Sequence, residues 1–177
     1  MTKQGVFRGL PTWLTVWLTV AVVVVIWDAS MVLLRPHTLP GGKLNWLYFP
    51  YNLYITIDLR YGDMEDSFGI AQAWLNVVEI FIGIGALIMN YLRKPSTLLV
   101  TLVVCTMTFW KTVLFLLMYT KLANGEDELG TDDPILLIFC FMIPNGVWIL
   151  FPGLSMWYLC KDILRRITNG DSHGKQN

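Results

Sequence analysis

The chain has 177 residues, of which 55% are hydrophobic, 14% aromatic and only 15% charged, and its formal net charge is zero. Soluble domains carry about 25% charged residues, so this composition, with a mean hydropathy of +0.53, excludes an ordinary soluble domain. It predicts an integral membrane protein that has the lipid bilayer as its surroundings. The lack of a basic excess excludes nucleic acid as an expected partner.

Four stretches reach the length of about 20 helical residues that is needed to cross a hydrocarbon core. They run over about 12–34, 68–92, 97–121 and 135–160. The chain has no low-complexity linker and no internal repeat, so we expect one domain over 1–177 with a polar C-terminal tail over 168–177. The predicted fold is an all-α integral membrane protein, a bundle of four transmembrane helices.

The connections between the spans differ in length and character. Arg93-Lys94-Pro95-Ser96 joins the second and third spans, and such a short link predicts antiparallel neighbours. Residues 35–67 form a much longer connector, and its run Trp46-Leu47-Tyr48-Phe49 favours an aromatic cap over the bundle rather than disorder. Residues 122–134 are acidic and are expected to form a solvated loop.

Lys and Arg residues predict the orientation of the chain. Eight of them fall on the side of the termini and of the link 93–96, against four on the other side. Because cytosolic segments carry the excess of Lys and Arg, this count predicts that both termini lie in the cytosol. The eight are Lys3, Arg8, Arg93, Lys94, Lys161, Arg165, Arg166 and Lys175, and the four are Arg35, Lys43, Arg60 and Lys121.

Asp28, Glu79 and Lys111 lie inside otherwise apolar spans. Ionisable side chains at bilayer depth are costly, so they usually face the bundle interior, pair with one another and mark a functional site. The alternative is a structural ion pair or a lysine that snorkels to the interface. A turn of about 100° per residue places Gln72 and Asn76 on the same narrow face as Glu79, and this face must contact protein or a cavity.

The other spans carry polar groups at a similar depth. Thr108 lies beside Lys111 on a threonine-rich face, and Asn145 and Trp148 share one side of the fourth span. We therefore expect an intramembrane cavity that is capped by the connector. Its aromatic walls are expected from Trp27, Trp74 and Trp148, and Trp110 is a further candidate although it lies opposite the threonine-rich face. Such a pocket suits a lipophilic small molecule with one or two polar groups.

The residue types limit the chemistry. Cys105, Cys140 and Cys160 lie in apolar stretches and no CxxC or HExxH occurs, so we predict no metal site and no cofactor. Carboxyl and amine groups placed together supply a proton donor and acceptor, as needed by an isomerase that moves a double bond or by a cyclase that protonates an alkene or epoxide. No nucleophile–base pair or phosphate-binding glycine loop favours hydrolase or kinase chemistry.

Several segments together resemble the EXPERA superfamily, which includes emopamil-binding protein, a sterol Δ8–Δ7 isomerase, and the sigma-2 receptor. The segments are Ile57-Asp58-Leu59-Arg60-Tyr61, Asp66-Ser67-Phe68, Leu122-Ala123-Asn124-Gly125-Glu126 with Glu128-Leu129-Gly130, and Asn145-Gly146-Val147-Trp148-Ile149-Leu150-Phe151-Pro152-Gly153. The resemblance implies a four-helix membrane core with a sterol-sized cavity in the endoplasmic reticulum, and it allows a homodimer.

The resemblance also implies roles for particular residues. Asp28 and Asp58 match acidic residues of the family, and Asn145 and Trp148 match its pocket asparagine and tryptophan. Val24 and Ala73 stand where the isomerase has a histidine and a glutamate, and Glu79 and Lys111 have no assigned counterpart. These departures favour altered chemistry on a terpenoid or steroid-like substrate, because EXPERA-like proteins also act as isomerases or cyclases in natural-product pathways.

The leading hypothesis is therefore a membrane-embedded isomerase or cyclase. Its catalytic candidates are Asp28 and Glu79 as acid and base, Lys111 as the group that tunes them or binds a substrate oxygen, and Asp58 as a group that closes the site from the connector. Its substrate-binding candidates are Gln72, Asn76, Asn145, Trp148, Trp27 and Thr108. The alternative is a non-catalytic protein that binds a sterol, another lipid or an amine.

Overall fold

A computed structural model describes residues 9–174 of the chain, with the side chains of residues 126 and 169–174 outside the description. The described residues form helices joined by turns, and four helices are long and apolar enough to cross a membrane, as predicted. The four candidate spans are Thr12–Leu33, Ser67–Tyr91, Thr97–Leu117 and Pro134–Thr168. Among the basic residues that predict the orientation, Lys3, Arg8 and Lys175 lie outside the described residues.

The helices are numbered in chain order. The α-helices are α1 (Thr12–Leu33), α2 (Tyr51–Tyr54), α3 (Leu59–Gly62), α4 (Ser67–Tyr91), α5 (Thr97–Leu117), α6 (Pro134–Leu136) and α7 (Ile143–Gly174). Short 3-10 helices occupy Asn45–Leu47, Lys121–Ala123 and Glu126–Glu128, and a π-helix over Leu137–Met142 joins α6 to α7.

Consecutive spans pack against one another: α1 on α4, α4 on α5, and α5 on α7. The antiparallel pairing of α4 and α5 is confirmed, since Gln72 near the start of α4 contacts Lys111 near the end of α5. Trp17 of α1 stacks on Phe151 of α7, with ring centroids 4.6 Å apart. These contacts gather the spans around one interior.

Two helix ends differ from the predicted boundaries. The third span was expected to reach residue 121, but α5 ends at Leu117 because Tyr119 turns inward to donate its hydroxyl to Asp58. The fourth span was expected to end near residue 160, yet α7 continues to Gly174 through most of the predicted polar tail. Asp162 accepts from Arg165 and Arg166, and such pairs three or four residues apart stabilise a polar helix.

The connector between α1 and α4 is held by polar contacts rather than by periodic packing. The Arg35 guanidinium donates to the carbonyl oxygens of Arg60, Tyr61 and Asp63 at 3.2, 3.0 and 2.6 Å. Asp66 caps α4 by accepting from the backbone N–H of Gly69 at 2.6 Å. The connector thus has a defined path, although Trp46 and Phe49 of its aromatic run remain 74% and 68% exposed.

Gly83 permits the close approach of α4 to α1, because a Cβ at this position would lie only 2.8 Å from Val22 Cγ2. We expect Gly83→Leu to lower the free energy of unfolding by about 1–3 kcal/mol, as overpacking does elsewhere. Gly85→Leu is the matched control, since a Cβ at Gly85 meets no atom within 4 Å. Thermal unfolding of both variants in detergent checks this, and equal stability of the two would contradict it.

Candidate functional site

A cavity of about 400 Å³ lies among the spans and the connector, within the range of roughly 300–1,000 Å³ that is typical of ligand pockets. Its wall is mostly apolar and aromatic, with a small group of polar side chains. The predicted site residues that line it are Asp28, Glu79, Lys111, Gln72, Asn76, Asn145, Trp148, Trp27 and Thr108. The structure therefore brings together every predicted site residue except Asp58.

Asp28 is the acceptor at the centre of the polar group. Its Oδ1 accepts from the hydroxyls of Tyr51 and Tyr61 at 2.8 and 2.9 Å, and its Oδ2 accepts from Asn76 Nδ2 at 3.0 Å. Both tyrosines belong to the connector, whereas Asn76 belongs to α4. Three donors, from the connector and from α4, thus converge on one carboxyl group.

Asn76 joins Asp28 to an ion pair deeper in the bundle. Its Oδ1 accepts from Lys111 Nζ, which also lies 2.7 Å from Glu79 Oε2. The second oxygen of Glu79 accepts from the Thr108 hydroxyl at 2.6 Å. The Glu79 and Lys111 side chains are only 5% and 14% exposed, so this pair is largely shielded from its surroundings.

Asp28, Asn76, Lys111 and Glu79 form one polar network, and its formal charges do not cancel. Glu79 and Lys111 neutralise each other, so an ionised Asp28 leaves a net charge of −1 on the network. Arg60 also lines the cavity, but its guanidinium pairs with Asp66 at 2.9 Å and with Glu128 at 3.4 Å. A low-dielectric pocket with an unbalanced negative charge favours a proton or another cation.

Gln72 and Asn145 both line the cavity and use their amide nitrogens on main-chain oxygens. Gln72 Nε2 donates to the Lys111 carbonyl at 3.3 Å, and Asn145 Nδ2 donates to the Phe141 carbonyl at 2.8 Å. Each amide nitrogen is thus committed to a helix carbonyl, which leaves the amide oxygen for other partners.

Trp27 and Trp148 form parts of the aromatic wall, as predicted, whereas Trp74 and Trp110 are each 60% exposed and do not line the cavity. Trp27 packs edge-on against Tyr51, with ring centroids 4.9 Å apart, and stacks on Tyr48 at 6.1 Å. Trp148 packs on Trp17 at 5.3 Å. These contacts fix the two indole rings that border the polar network.

Asp58 is fully buried and is not among the residues that line the cavity. Its Oδ1 accepts from the Tyr119 hydroxyl at 2.5 Å, and its backbone forms a bridge with Leu129. Burial raises the pKa of the Asp58 carboxyl to about 6, against the opposing effect of hydrogen bonds from Tyr119 and Tyr54. Asp58 therefore joins the connector to Tyr119 and Leu129, behind the cavity wall.

Sequence reasoning missed the tyrosines of the connector. Tyr51, Tyr54 and Tyr61 all line the cavity. Burial, followed by the nearby Asp28 carboxylate, raises the pKa of the Tyr51 and Tyr61 hydroxyls, so both remain proton donors at neutral pH. The spacing of three residues between Tyr48, Tyr51 and Tyr54 is the signal that would have placed them on one face of a short helix.

Comparisons of the chain with protein-family models, with curated proteins and with solved structures find no match. The resemblance of its motifs to the EXPERA superfamily stays a prediction from the sequence.

The buried pair of Lys111 and Glu79 supports a stability prediction. Lys111→Met leaves the Glu79 carboxylate buried without its cation, and we expect it to lower the free energy of unfolding by about 3–5 kcal/mol. Lys111→Met combined with Glu79→Met removes both charges and should recover most of this loss. Unfolding of the single and double variants in mixed micelles measures the coupling energy.

The pair of Arg166 and Asp162, in which the Arg166 side chain is 45% exposed and Asp162 is shared with Arg165, is the control for this cycle. Its coupling energy is expected to be about 0.3–0.5 kcal/mol. Additive losses at Lys111 and Glu79 would contradict a mutually stabilising buried pair.

Asp58 supports a prediction on pH. Its folded-state pKa of about 6 lies above the ordinary 3.8, so the folded protein binds this proton more tightly than the unfolded chain does. The resulting stabilisation is fully present below the ordinary pKa and is lost as the pH rises through the folded pKa. Between about pH 4 and pH 7 the Tm of the wild type should therefore fall relative to that of Asp58→Asn.

The exposed Asp132 gives the control variant Asp132→Asn, which should follow the wild-type pH profile. If the difference in Tm between the wild type and Asp58→Asn stays constant across this pH range, the Asp58 carboxyl does not titrate there.

Proposed function

We propose that the protein is a membrane-embedded isomerase or cyclase of a lipophilic terpenoid or steroid-like substrate. The observation that carries this proposal is the position of Asp28, which accepts three hydrogen bonds in the wall of a mostly apolar cavity. A carboxyl group in such a pocket can exchange a proton with a hydrocarbon framework while bulk water is excluded.

The proposed isomerisation uses Asp28 twice. The protonated carboxyl gives its proton to one carbon of a double bond, which leaves a carbocation on the other carbon. The Asp28 carboxylate then removes a proton from a neighbouring carbon, and the electrons of that C–H bond form the new double bond. In a cyclisation, the same acid protonates an alkene or epoxide, and ring closure precedes the loss of a proton.

The neighbouring groups support this chemistry in different ways. The hydroxyls of Tyr51 and Tyr61 and the Asn76 amide stabilise the carboxylate that remains after proton donation. Glu79 has both oxygens engaged by Lys111 and Thr108, so we assign it to holding Lys111 rather than to direct proton transfer. Lys111 then orients Asn76 or binds a substrate oxygen.

The aromatic rings form the second part of the proposal. Trp27, Tyr51 and Trp148 line the cavity around Asp28, and the faces of aromatic rings stabilise cations. A carbocation formed beside Asp28 would therefore meet both a carboxylate and π-systems. Asn145 would orient the substrate from α7.

The location in the membrane belongs to the same proposal. We propose that the cavity lies within the bilayer beneath the connector, whose Tyr51, Tyr54 and Tyr61 line it. The Lys and Arg residues support cytosolic termini, and the EXPERA resemblance supports the endoplasmic reticulum and a possible homodimer.

A second candidate function is non-catalytic binding of a lipophilic amine or sterol. The unbalanced negative charge of the network favours it, because an ammonium group would neutralise an ionised Asp28 among aromatic rings. The two candidates share the cavity and differ in whether a product is formed.

Asp28→Asn tests the proposed reaction. It keeps the shape of the side chain but cannot exchange the proton, so we expect turnover to fall by roughly 10²-fold or more. Untargeted metabolite profiling of the native host with wild-type or variant protein measures this. The expected result is loss of one compound and accumulation of another of equal mass.

Glu65→Gln is the control, because Glu65 is an exposed residue of the same connector. It should leave the metabolite profile unchanged. An unchanged profile for folded Asp28→Asn would reject the reaction and favour the binding function. Tight binding of an amine by the wild type, with no product formed, would then support the binding function.

A further inference from the structure

Gln72 differs from the other amides of the cavity wall in one respect. Its Nε2 donates to the Lys111 carbonyl at 3.3 Å, whereas its Oε1 is buried and has no hydrogen-bond partner among the described residues. Because a main-chain carbonyl can only accept, the amide nitrogen must face Lys111. The unpaired atom is therefore the oxygen, an acceptor.

A buried acceptor without a partner destabilises the folded protein, and native structures leave few such groups. Among the described residues, the other side-chain atoms in this state are Asp58 Oδ2, Arg60 Nε and Thr101 Oγ1. Asp58 and Thr101 do not line the cavity, and Arg60 is engaged in ion pairs. Gln72 is thus the residue of the cavity wall, among those described, that carries a buried acceptor without a partner.

The position of Gln72 relates this acceptor to the proposed reaction centre. Gln72 precedes Asn76 by one helical turn of α4, which is about 6 Å along the helix axis towards the connector. Phe68, one turn further on, stacks on Phe115 with ring centroids 6.4 Å apart. The acceptor therefore lies between the Asp28–Asn76 contact and an apolar aromatic boundary at the connector end.

We propose that Gln72 Oε1 accepts a hydrogen bond from a hydroxyl group of the lipophilic substrate. This inference rests on the proposed function and adds the chemical class of the substrate: an alcohol whose O–H lies about one helical turn from the carbon that meets Asp28. An ether or ketone brings no donor to this position and leaves the acceptor unpaired. Gln72 is then a specificity-determining residue.

Two matched pairs of probes test the proposal. One pair is 5α-cholestan-3β-ol and its methyl ether, and the other is farnesol and its methyl ether, so each pair differs in a hydrogen-bond donor. The full chain is purified in detergent, and dissociation constants are measured by titrating the thermal shift. For at least one pair, we expect the alcohol to bind wild-type protein roughly 10-fold more tightly than the ether.

Variants of Gln72 identify the acceptor. Gln72→Met keeps the length of the side chain without the amide, so it should weaken binding of the alcohol by roughly 10-fold and leave the ether unchanged. Thr106→Val is the control, since the Thr106 hydroxyl bonds to its own helix and Thr106 does not line the cavity.

The outcomes separate this inference from the proposed function. Equal binding of alcohol and ether by the wild type, or equal weakening of both in Gln72→Met, overturns the role of Gln72 while the cavity remains a ligand site. If Gln72→Met does not fold, the wild-type comparison of each alcohol with its ether still decides the proposal. Failure of all four probes to bind wild-type protein rejects the lipophilic substrate class and this inference with it.

Discussion

The Asn76 amide is the contact on which the polar network depends. It donates to Asp28 and accepts from Lys111, and an amide can do both because its donor and acceptor atoms share one carbon. A carboxylate in its place would face Asp28 with a like charge, and an apolar residue would remove one hydrogen bond from Asp28 and one from Lys111. Buried charges are tolerated only when paired and hydrogen-bonded, and this side chain joins the buried acid of α1 to the buried ion pair between α4 and α5.

The connector completes the same network from outside the bundle. The Arg35 guanidinium binds the carbonyl oxygens of Arg60, Tyr61 and Asp63 and so holds the backbone that carries Tyr61 to Asp28. Tyr51, the other donor to Asp28, stacks on Tyr61 with ring centroids 5.8 Å apart. Arg60, the neighbour of Tyr61, pairs with Asp66, the cap of α4. The connector, predicted as a cap, therefore also supplies hydrogen-bond donors to Asp28. Its fold is coupled to the site through the hydrogen bonds of Arg35 and Arg60.

The sequence predicts those parts of the structure that follow from helical periodicity and the cost of buried charge. The spans and the shared face of Gln72, Asn76 and Glu79 required only a turn of about 100° per residue, and their convergence with Asp28 and Lys111 followed from the need to pair charges. The paths of the connector and of Tyr119 follow no period. They depend on long-range contacts such as Tyr119 with Asp58 and Tyr61 with Asp28, so the early end of α5 and the place of Tyr61 could not be predicted from the local pattern.

Under the proposed function, the unequal engagement of the two carboxyl groups limits the chemistry. Glu79 is tied to Lys111 and Thr108, whereas Asp28 is held only by neutral donors. One carboxyl group would then both give and remove the proton, so both transfers take place on the face of the substrate that meets Asp28. The aromatic rings on the cavity wall can stabilise the cation between the two steps without competing for its proton. A single acid and base beside these rings favours short migrations of a double bond, or ring closures that end near the carbon first protonated.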